Sequence, residues 1–269
     1  GTLTQRTPVQ PSKLPERSFS ESDEEKRRRF LAHAPAILDA AQRRLMAEST
    51  PGGEYLLRRG LEPATWCAYG LGYTDDAVGR GPAVAMPWYK AGNLTGIRYR
   101  LLAPPDPKNK IVSESGSHTA GVLFGGQVAA FWSRPTNGVD LAAVRTLVLV
   151  EGEINCMSIA QVVGGARVDV LSIGGQSQST TLSASAIAYA RRFRTVIIWL
   201  DEEKRARDLA KTVNGLAYWS HGETGKVDAN DHLCAGRLSE IVEYLWRQAT
   251  PKGHAQALEY DIDDWRAGL

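Results

Sequence analysis

Acidic side chains follow three of the four apolar runs in the second half of the chain. The acids are Glu151 and Glu153 after "TLVLV", Asp201, Glu202 and Glu203 after "TVIIWL", and Asp228 and Asp231 in "KVDANDH" after "LAYWS". Carboxylates that gather in one place repel one another unless a cation joins them. Oxygen ligands suit Mg²⁺ or Mn²⁺. Because no His or Cys pattern lies nearby, we expect no Zn²⁺ site in this chain.

A divalent cation held by carboxylates predicts chemistry on phosphate groups. Mg²⁺ keeps several of its waters and usually bridges one or two carboxylates to the phosphates of a substrate. We therefore expect phosphoryl or nucleotidyl transfer, with two metal ions as the expected form of the site. A structural alternative stays open for each acid alone. Asp and Glu in the first turn of a helix also interact favourably with the helix dipole.

The elements that would position these acids are the apolar runs themselves. The runs "TLVLV", "VDVLSI", "TVIIWL" and "LAYWS" are each followed by a helical pattern, at 154–163, 183–193, 203–213 and 237–246. Strands this apolar are covered on both faces, so we predict a Rossmann-like parallel four-stranded sheet with flanking helices. The carboxyl ends of its strands would share one edge. After "VDVLSI", the loop "GGQSQS" supplies either a tight turn or a backbone cradle for phosphate.

The first half of the chain predicts a smaller α+β unit over 51–140. The segment "YLLRRGLEPATWCAYGLGY" predicts two short helices, and "PAVAMPWYK", "GNLTGIRYRLL" and "GVLFGG" predict strands, whereas "APPDPKNKIVSESGSHTAG" predicts a surface loop. Upstream, 21–50 predicts helix that starts at a Ser22–Glu25 capping box and is kinked or divided at Pro35. The other predicted parts are a flexible tail over 1–20, the parallel-sheet domain over 141–236 and a helical segment over 237–269.

Length and composition limit the number of domains and the classes of protein to which the chain could belong. The chain has 269 residues, 43% of them hydrophobic and 23% charged, with a formal net charge of +2. This length is enough for one large domain or two modest ones. The mild net charge neither requires nor excludes a nucleic-acid partner. No segment approaches the roughly 18 apolar residues of a membrane span, and three separated cysteines do not indicate a disulfide framework. We expect a cytoplasmic protein without a membrane partner.

The order of these motifs resembles the Toprim domain of DnaG-type primases, topoisomerases and some nucleases. The similar segments are "VEGE" at 150–153, "IGGQSQS" at 173–179 and "VIIWLDEE" at 196–203. The resemblance implies that Glu151 is the catalytic glutamate. It also implies that Asp201 and Glu203 form the acidic pair that holds divalent metal with it. In "GKVDANDHL", it implies that Asp228 and Asp231 support a second metal or its waters.

The upstream unit narrows the resemblance to the catalytic core of bacterial DnaG-type primases, including phage, plasmid and mobile-element versions. Its helical and glycine-rich motifs are similar to the basic subdomain that guides template strand and nucleotide in primases. The implied contacts with nucleic acid or nucleotide come from Arg98, Arg100, Lys110 and Lys226. The implied partners are a single-stranded DNA template, nucleoside triphosphates and, as a further candidate, a replicative helicase.

The sequence also departs from the primase pattern, which leaves three functions open. Asn155 and Asn230 stand where that pattern has acids, Glu203 replaces an Asp, and "KRARD" follows the acidic pair where a small residue and a glycine are usual. The leading hypothesis is a metal-dependent primase that makes short RNA primers on single-stranded DNA. The alternatives are a Toprim-type metal-dependent nuclease and a non-catalytic accessory protein of replication that binds single-stranded nucleic acid.

Overall fold

The computed structural model describes residues 22–47, 49–132, 145–163, 168–175, 182–221 and 225–249. The predicted tail over 1–20, the polar part of the loop at 176–181 and the chain from 250 onward lie outside these residues. Within the described part, no helix combines the length and the apolar character needed to cross a bilayer.

A long helix, α1 (Asp23–Leu45), begins the described chain. The predicted capping box is present, because the Ser22 hydroxyl accepts the N–H of Glu25 and the Glu25 carboxylate accepts the N–H of Ser22. The helix continues through Pro35 and is not divided there. One face of α1 is apolar and packs with the residues of an antiparallel sheet.

Two short helices follow, as predicted. They are α2 (Pro51–Arg58) and α3 (Pro63–Tyr69). Thr50 caps α2 by accepting the N–H of Gly53 at 3.1 Å. The second helix ends at Gly70, whose φ of 62° lies in the left-handed region. Glycine adopts this conformation without the steric penalty of a Cβ, which explains why the helix ends there.

Four strands then form an antiparallel sheet in chain order. They are β1 (Gly72–Thr74), β2 (Ala83–Lys90), β3 (Asn93–Leu101) and β4 (Ile111–Ser113). The strand β4 lies inside the segment for which the sequence predicts a surface loop, and that prediction is wrong at this point. The apolar pair Ile111 and Val112 continues the sheet by pairing with Arg100 and Tyr99 of β3.

The strand predicted at 121–126 is also wrong. Only Phe124 pairs there, through an isolated bridge to Ser172. Gly121 and Gly125 have φ angles of 70° and 91°, which interrupt an extended strand on both sides of Phe124. A short helix, α4 (Gly126–Trp132), begins directly afterwards.

The second half of the described chain confirms the predicted parallel sheet with flanking helices. Its elements are β5 (Thr146–Val150), α5 (Glu153–Val163), β6 (Val168–Ser172), α6 (Ala184–Ala190), β7 (Thr195–Leu200), α7 (Glu203–Val213), β8 (Leu216–Trp219), α8 (Ala229–Cys234) and α9 (Leu238–Ala249). The strands lie in the order β6-β5-β7-β8, and every pair is parallel. The sequence pattern does not predict α8, because its six residues span fewer than two helical turns and show no clear apolar repeat.

The two sheets share one hydrophobic core. Trp88 of β2 and Phe124 are fully buried with ring centroids 5.5 Å apart, and they belong to the same cluster as Val148 and Val170 of the parallel sheet. The Phe124–Ser172 bridge adds backbone hydrogen bonds of 2.9 and 3.0 Å between the halves. The antiparallel sheet is therefore fixed against the edge strand β6 of the parallel sheet.

Replacing Gly72 by Ala should destabilise the fold by about 1–3 kcal/mol. A Cβ at this position would lie 2.6 Å from the Ala41 Cβ and 2.8 Å from the Ala41 carbonyl carbon, so α1 would have to move away from β1. The matched control is Gly126→Ala, whose Cβ would meet only the Tyr89 carbonyl oxygen, at 3.7 Å. Urea unfolding of both variants checks the prediction, and equal stabilities would contradict it.

Candidate functional site

Two of the predicted acids meet at the carboxyl edge of the parallel sheet. Glu151 follows β5 and Asp201 follows the neighbouring strand β7. Glu151 is 5% exposed, and its Oε2 accepts the backbone N–H of Asp201 at 3.1 Å. Its Oε1 accepts Nη1 of Arg205, from the first turns of α7, at 3.2 Å. The fold thus brings Glu151 and Asp201 together and adds a cation that the sequence analysis did not single out.

The charge of this pair is only partly balanced. Burial raises the pKa of Glu151 and repulsion by Asp201 raises it further, whereas the Asp201 N–H, Arg205 and Lys226 act in the opposite direction. The pKa remains raised, so the ionised carboxylate would gain from a further positive charge. A buried carboxylate with a second carboxylate beside it fits a hard divalent cation such as Mg²⁺ or Mn²⁺, which takes its other ligands from water and substrate phosphates.

No ready-made cage for such an ion exists in the part of the chain that the structure describes. No group of three or more His, Cys, Asp or Glu residues lies close enough there to hold a metal ion. Asp201 instead contacts Lys226, whose side chain is half-exposed while that of Asp201 is 19% exposed. Both acids at the edge are therefore ion-paired with cations of the chain itself.

The other predicted metal ligands have local partners. Glu203 begins α7 and pairs with Arg207 one turn later, at 2.8 Å, with both side chains about half exposed. Asp228 and Asp231 form a reciprocal capping box at the start of α8, in which each carboxylate accepts the other residue's N–H at 3.0 Å. The capping box gives Asp228 and Asp231 a role in starting α8, and Glu203 has an ion pair within α7. A role of these acids in metal binding stays a prediction.

A cluster of cations borders the acidic edge. Burial lowers the pKa of Lys110, and Arg100, Lys226 and Arg59 lower it further, against the opposing effect of Asp228. Positive groups this close together favour an anionic ligand. Lys226 belongs to both the acidic edge and the cationic cluster, because it contacts Asp201 and repels Lys110. The predicted residues Arg100, Lys110 and Lys226 are thus brought together beside the carboxylates.

Arg59 also belongs to this cluster, although its sequence context favours a structural or surface role. Its guanidinium lies 5.7 Å from the centre of the Tyr55 ring, and that of Arg100 lies 5.9 Å from the same ring. Both cations therefore contact the Tyr55 ring, and these contacts offset part of their mutual repulsion. The spacing of Tyr55 and Arg59, one helical turn apart, is the sequence signal that could have indicated this contact.

Arg98, predicted to contact nucleic acid, lies in the interior instead. Its side chain is 5% exposed, and Nη1 lies 2.7 Å from Glu153 Oε1 and donates to the carbonyl of Gly174 at 2.7 Å. The guanidinium also lies 5.4 Å from the Trp88 ring. The physical reason is the shared core: β3 passes beneath the carboxyl edge, so Arg98 points at the ends of β5 and β6. Arg98 joins the two sheets, and this placement leaves it almost no surface for a template.

Asn155 and Asn230, which depart from the primase pattern, are joined by one hydrogen bond between a side chain and the backbone. The backbone N–H of Asn230 donates to the Asn155 side chain at 3.2 Å. Nδ2 of Asn230 donates to Ser158 Oγ and to the Arg59 carbonyl at 2.9 and 2.7 Å, and its Oδ1 accepts Nη1 of Arg59 at 3.1 Å. An ionised carboxylate could not make the two donations from Nδ2. An amide at position 230 therefore fits this buried position and holds Arg59 beside the acidic edge.

Replacing Arg98 by Met should lower the free energy of unfolding by about 3 kcal/mol, because it leaves Glu153 buried without its counter-charge. The double variant Arg98→Met with Glu153→Gln should recover part of the loss, since the remaining group is then neutral. Urea unfolding followed by tryptophan fluorescence measures both. A double variant no more stable than the single one would contradict the assigned ion pair.

The fold is similar to those of solved primase cores. No protein-family model and no curated protein matches the chain. A structure of the DnaG catalytic core matches with a TM-score of 0.60 and 18% identity over 82% of this chain and 80% of that one. A DnaG primase catalytic domain bound to single-stranded DNA matches with a TM-score of 0.59 and 18% identity, over 85% of this chain and 83% of that one. The RNA polymerase domain of Mycobacterium tuberculosis primase, in complex with double-stranded DNA, matches with a TM-score of 0.60 and 18% identity. This match covers 82% of this chain and 81% of that one. This chain therefore has the fold of a DnaG-type primase catalytic core.

Proposed function

We propose that the chain is a primase-type nucleotidyltransferase core that makes short RNA primers on single-stranded DNA with a divalent metal. The observation that carries this proposal is the position of Lys226. It contacts Asp201 at the carboxyl edge and lies within electrostatic reach of Lys110 in the cationic cluster. A carboxylate edge and a cationic cluster that meet at one residue suit a substrate that carries both a metal ion and phosphates.

Glu151 and Asp201 are the proposed metal ligands. A bound Mg²⁺ or Mn²⁺ supplies neutralisation of the triphosphate charge and a lower pKa for the attacking 3′-hydroxyl. Glu151 is held in place by the Asp201 N–H on Oε2 and by Arg205 on Oε1, so its carboxylate has a fixed direction. Glu203, Asp228 and Asp231 remain the candidates for a second metal or its waters.

The cationic cluster is the proposed binding place for template and nucleotide. Arg59, Arg100, Lys110 and Lys226 would contact the phosphates of the incoming nucleotide or of the template strand. In the proposed step, the 3′-hydroxyl oxygen attacks the α-phosphorus of the nucleoside triphosphate, a phosphodiester bond forms and pyrophosphate leaves. The cations would balance the charge that develops on the pyrophosphate. The similarity to primase structures that contain DNA supports this assignment at the level of the fold.

A second candidate is a non-catalytic protein that binds single-stranded nucleic acid. The acids support it, because Glu203 pairs with Arg207 and the Asp228–Asp231 pair forms a capping box. Such a protein would keep the cationic cluster and would not transfer nucleotides. A nuclease is the third outcome, in which water replaces the 3′-hydroxyl as the attacking group.

Replacing Glu151 by Gln or Asp201 by Asn should reduce primer synthesis by roughly 100-fold or more, because each removes a proposed metal ligand. The assay supplies labelled ribonucleotides and Mg²⁺ or Mn²⁺ with single-stranded DNA, and separately with an RNA-primed template, so that extension is measured apart from initiation. Asp208→Asn is the matched control, since Asp208 is an exposed acid on α7 that pairs with Lys204.

Each product identifies one function. Oligonucleotides that disappear in both variants and persist in the control support the primase. Shortened DNA supports the nuclease. DNA binding without either product, on both substrates, would overturn the catalytic proposals in favour of the second candidate.

Replacing Arg100 or Lys110 by Ala should weaken binding to single-stranded DNA, because each variant neutralises fewer phosphates of the strand. The slope of log affinity against log salt should become shallower by about 0.7 for each phosphate that the variant no longer neutralises. Lys211→Ala is the control, because α7 ends at the opposite edge of the sheet from the cluster. Fluorescence anisotropy of a labelled oligonucleotide at several KCl concentrations measures the slopes. Identical slopes in all variants would exclude this cluster from the interface.

A further inference from the structure

Arg205 lies where the sequence departs from the primase pattern. It belongs to the segment "KRARD", which follows the acidic pair in place of the usual small residue and glycine. Most charged side chains of α7 extend into solvent, but that of Arg205 is only 11% exposed and turns to the carboxyl edge. Its Nη1 donates to Glu151 Oε1 at 3.2 Å. A guanidinium therefore lies against the acid proposed as the principal metal ligand.

Arg205 is held at this place mainly by charge. One contact of 3.2 Å joins it to Glu151, and its Nε and Nη2 are buried without a hydrogen-bond partner in the part of the chain that the structure describes. Buried donors without acceptors disfavour the folded position of a side chain. The guanidinium is therefore attached more weakly than a bidentate Arg–carboxylate pair, and a competing cation could displace it.

The competition would take place at the Glu151 carboxylate. Oε2 of Glu151 accepts the Asp201 N–H, and Oε1 accepts Nη1 of Arg205. A cation that binds Oε1 would compete directly with the Arg205 guanidinium, and a cation on Oε2 would be repelled by its charge. By linkage, the free energy that attaches Arg205 to Glu151 is subtracted from the free energy of binding any other cation there.

Lys226 differs from Arg205 although it also pairs with an acid of the edge. Its side chain is half-exposed, so it can leave Asp201 for water or a phosphate at little cost. Arg205 is nearly enclosed, and leaving Glu151 requires it to move out of the edge. Arg205 therefore opposes the binding of a metal ion more strongly than Lys226 does.

We propose that Arg205 is a resident counter-cation that competes with divalent metal for Glu151 and sets the metal affinity of the site. The free protein would bind Mg²⁺ or Mn²⁺ weakly, and full occupancy would need a high metal concentration or a metal that arrives with the triphosphate. The inference rests on the proposed function, because it takes Glu151 to be a metal ligand. Arg205 acts through Glu151 and is a positioning residue.

Replacing Arg205 by Ala should tighten Mn²⁺ binding about tenfold, since it removes a positive charge next to the ion. The signal of free Mn²⁺ in electron paramagnetic resonance measures binding without nucleotide or DNA. The matched control is Lys204→Ala, which removes the same charge from the adjacent residue of α7, where Lys204 pairs with the exposed Asp208. It should change the affinity by less than about twofold, because exposed charges are screened.

Two further variants separate the inference from the proposed function. Arg205→Gln removes the charge and keeps most of the stem, so tighter Mn²⁺ binding should persist if the Ala variant unfolds. Glu151→Gln should weaken Mn²⁺ binding, and adding Arg205→Ala to it should bring no gain. If Glu151→Gln weakens binding but neither change at Arg205 tightens it, the competition is wrong while the metal site stands. If Glu151→Gln has no effect, the metal ligand itself is wrong and both proposals fall.

Discussion

Repulsion between two carboxylates at one edge of a parallel sheet is the constraint on which the rest of this structure depends. Glu151 and Asp201 end neighbouring strands, and Glu151 is almost fully buried. Two negative charges in such a place need positive charge nearby. The chain supplies it from two directions, with Arg205 from α7 and Lys226 from the segment after β8. Burial, followed by repulsion from Asp201, still leaves the pKa of Glu151 raised against the opposing effects of the Asp201 N–H, Arg205 and Lys226.

The antiparallel unit supplies positive charge to the same edge. Its strand β3 places Arg98 inward, against Glu153 and the Gly174 carbonyl, and this contact fixes the sheet under the ends of β5 and β6. Arg100 is two residues further along β3, so it lies on the same face of that strand. The buried ion pair thus positions the strand from which Arg100 reaches the cationic cluster beside the acids.

Three departures from the primase pattern change the charge of the edge in the same direction, whereas Glu203 in place of Asp leaves it unchanged. Asn155 and Asn230 remove two negative charges. The Asn155 side chain accepts the backbone N–H of Asn230, and the Asn230 side chain holds Arg59. Arg205 adds a positive charge at Glu151. Each change makes the edge less negative, which reduces its attraction for metal ions relative to an edge with more acids. A substrate that brings its own metal would supply the further positive charge at this edge.

The sequence by itself determined the parallel sheet and the meeting of Glu151 with Asp201. Period, apolar content and the rule that parallel strands end at one edge depend on local pattern alone. The four-residue spacing of Tyr55 and Arg59 is also visible in the sequence, but the sequence does not show that the two side chains contact each other. The short elements β4 and α8 were not predicted, because three and six residues show too little periodicity.

Only the tertiary structure decided the partner of each charge. Arg98 and Arg100 have similar positions in the sequence pattern, yet the first is buried in an ion pair with Glu153 and the second belongs to the cationic cluster. The "KRARD" segment does not indicate which cation turns inward. Side-chain pairing depends on distances between segments far apart in the chain, and those distances exist only once both sheets share their core.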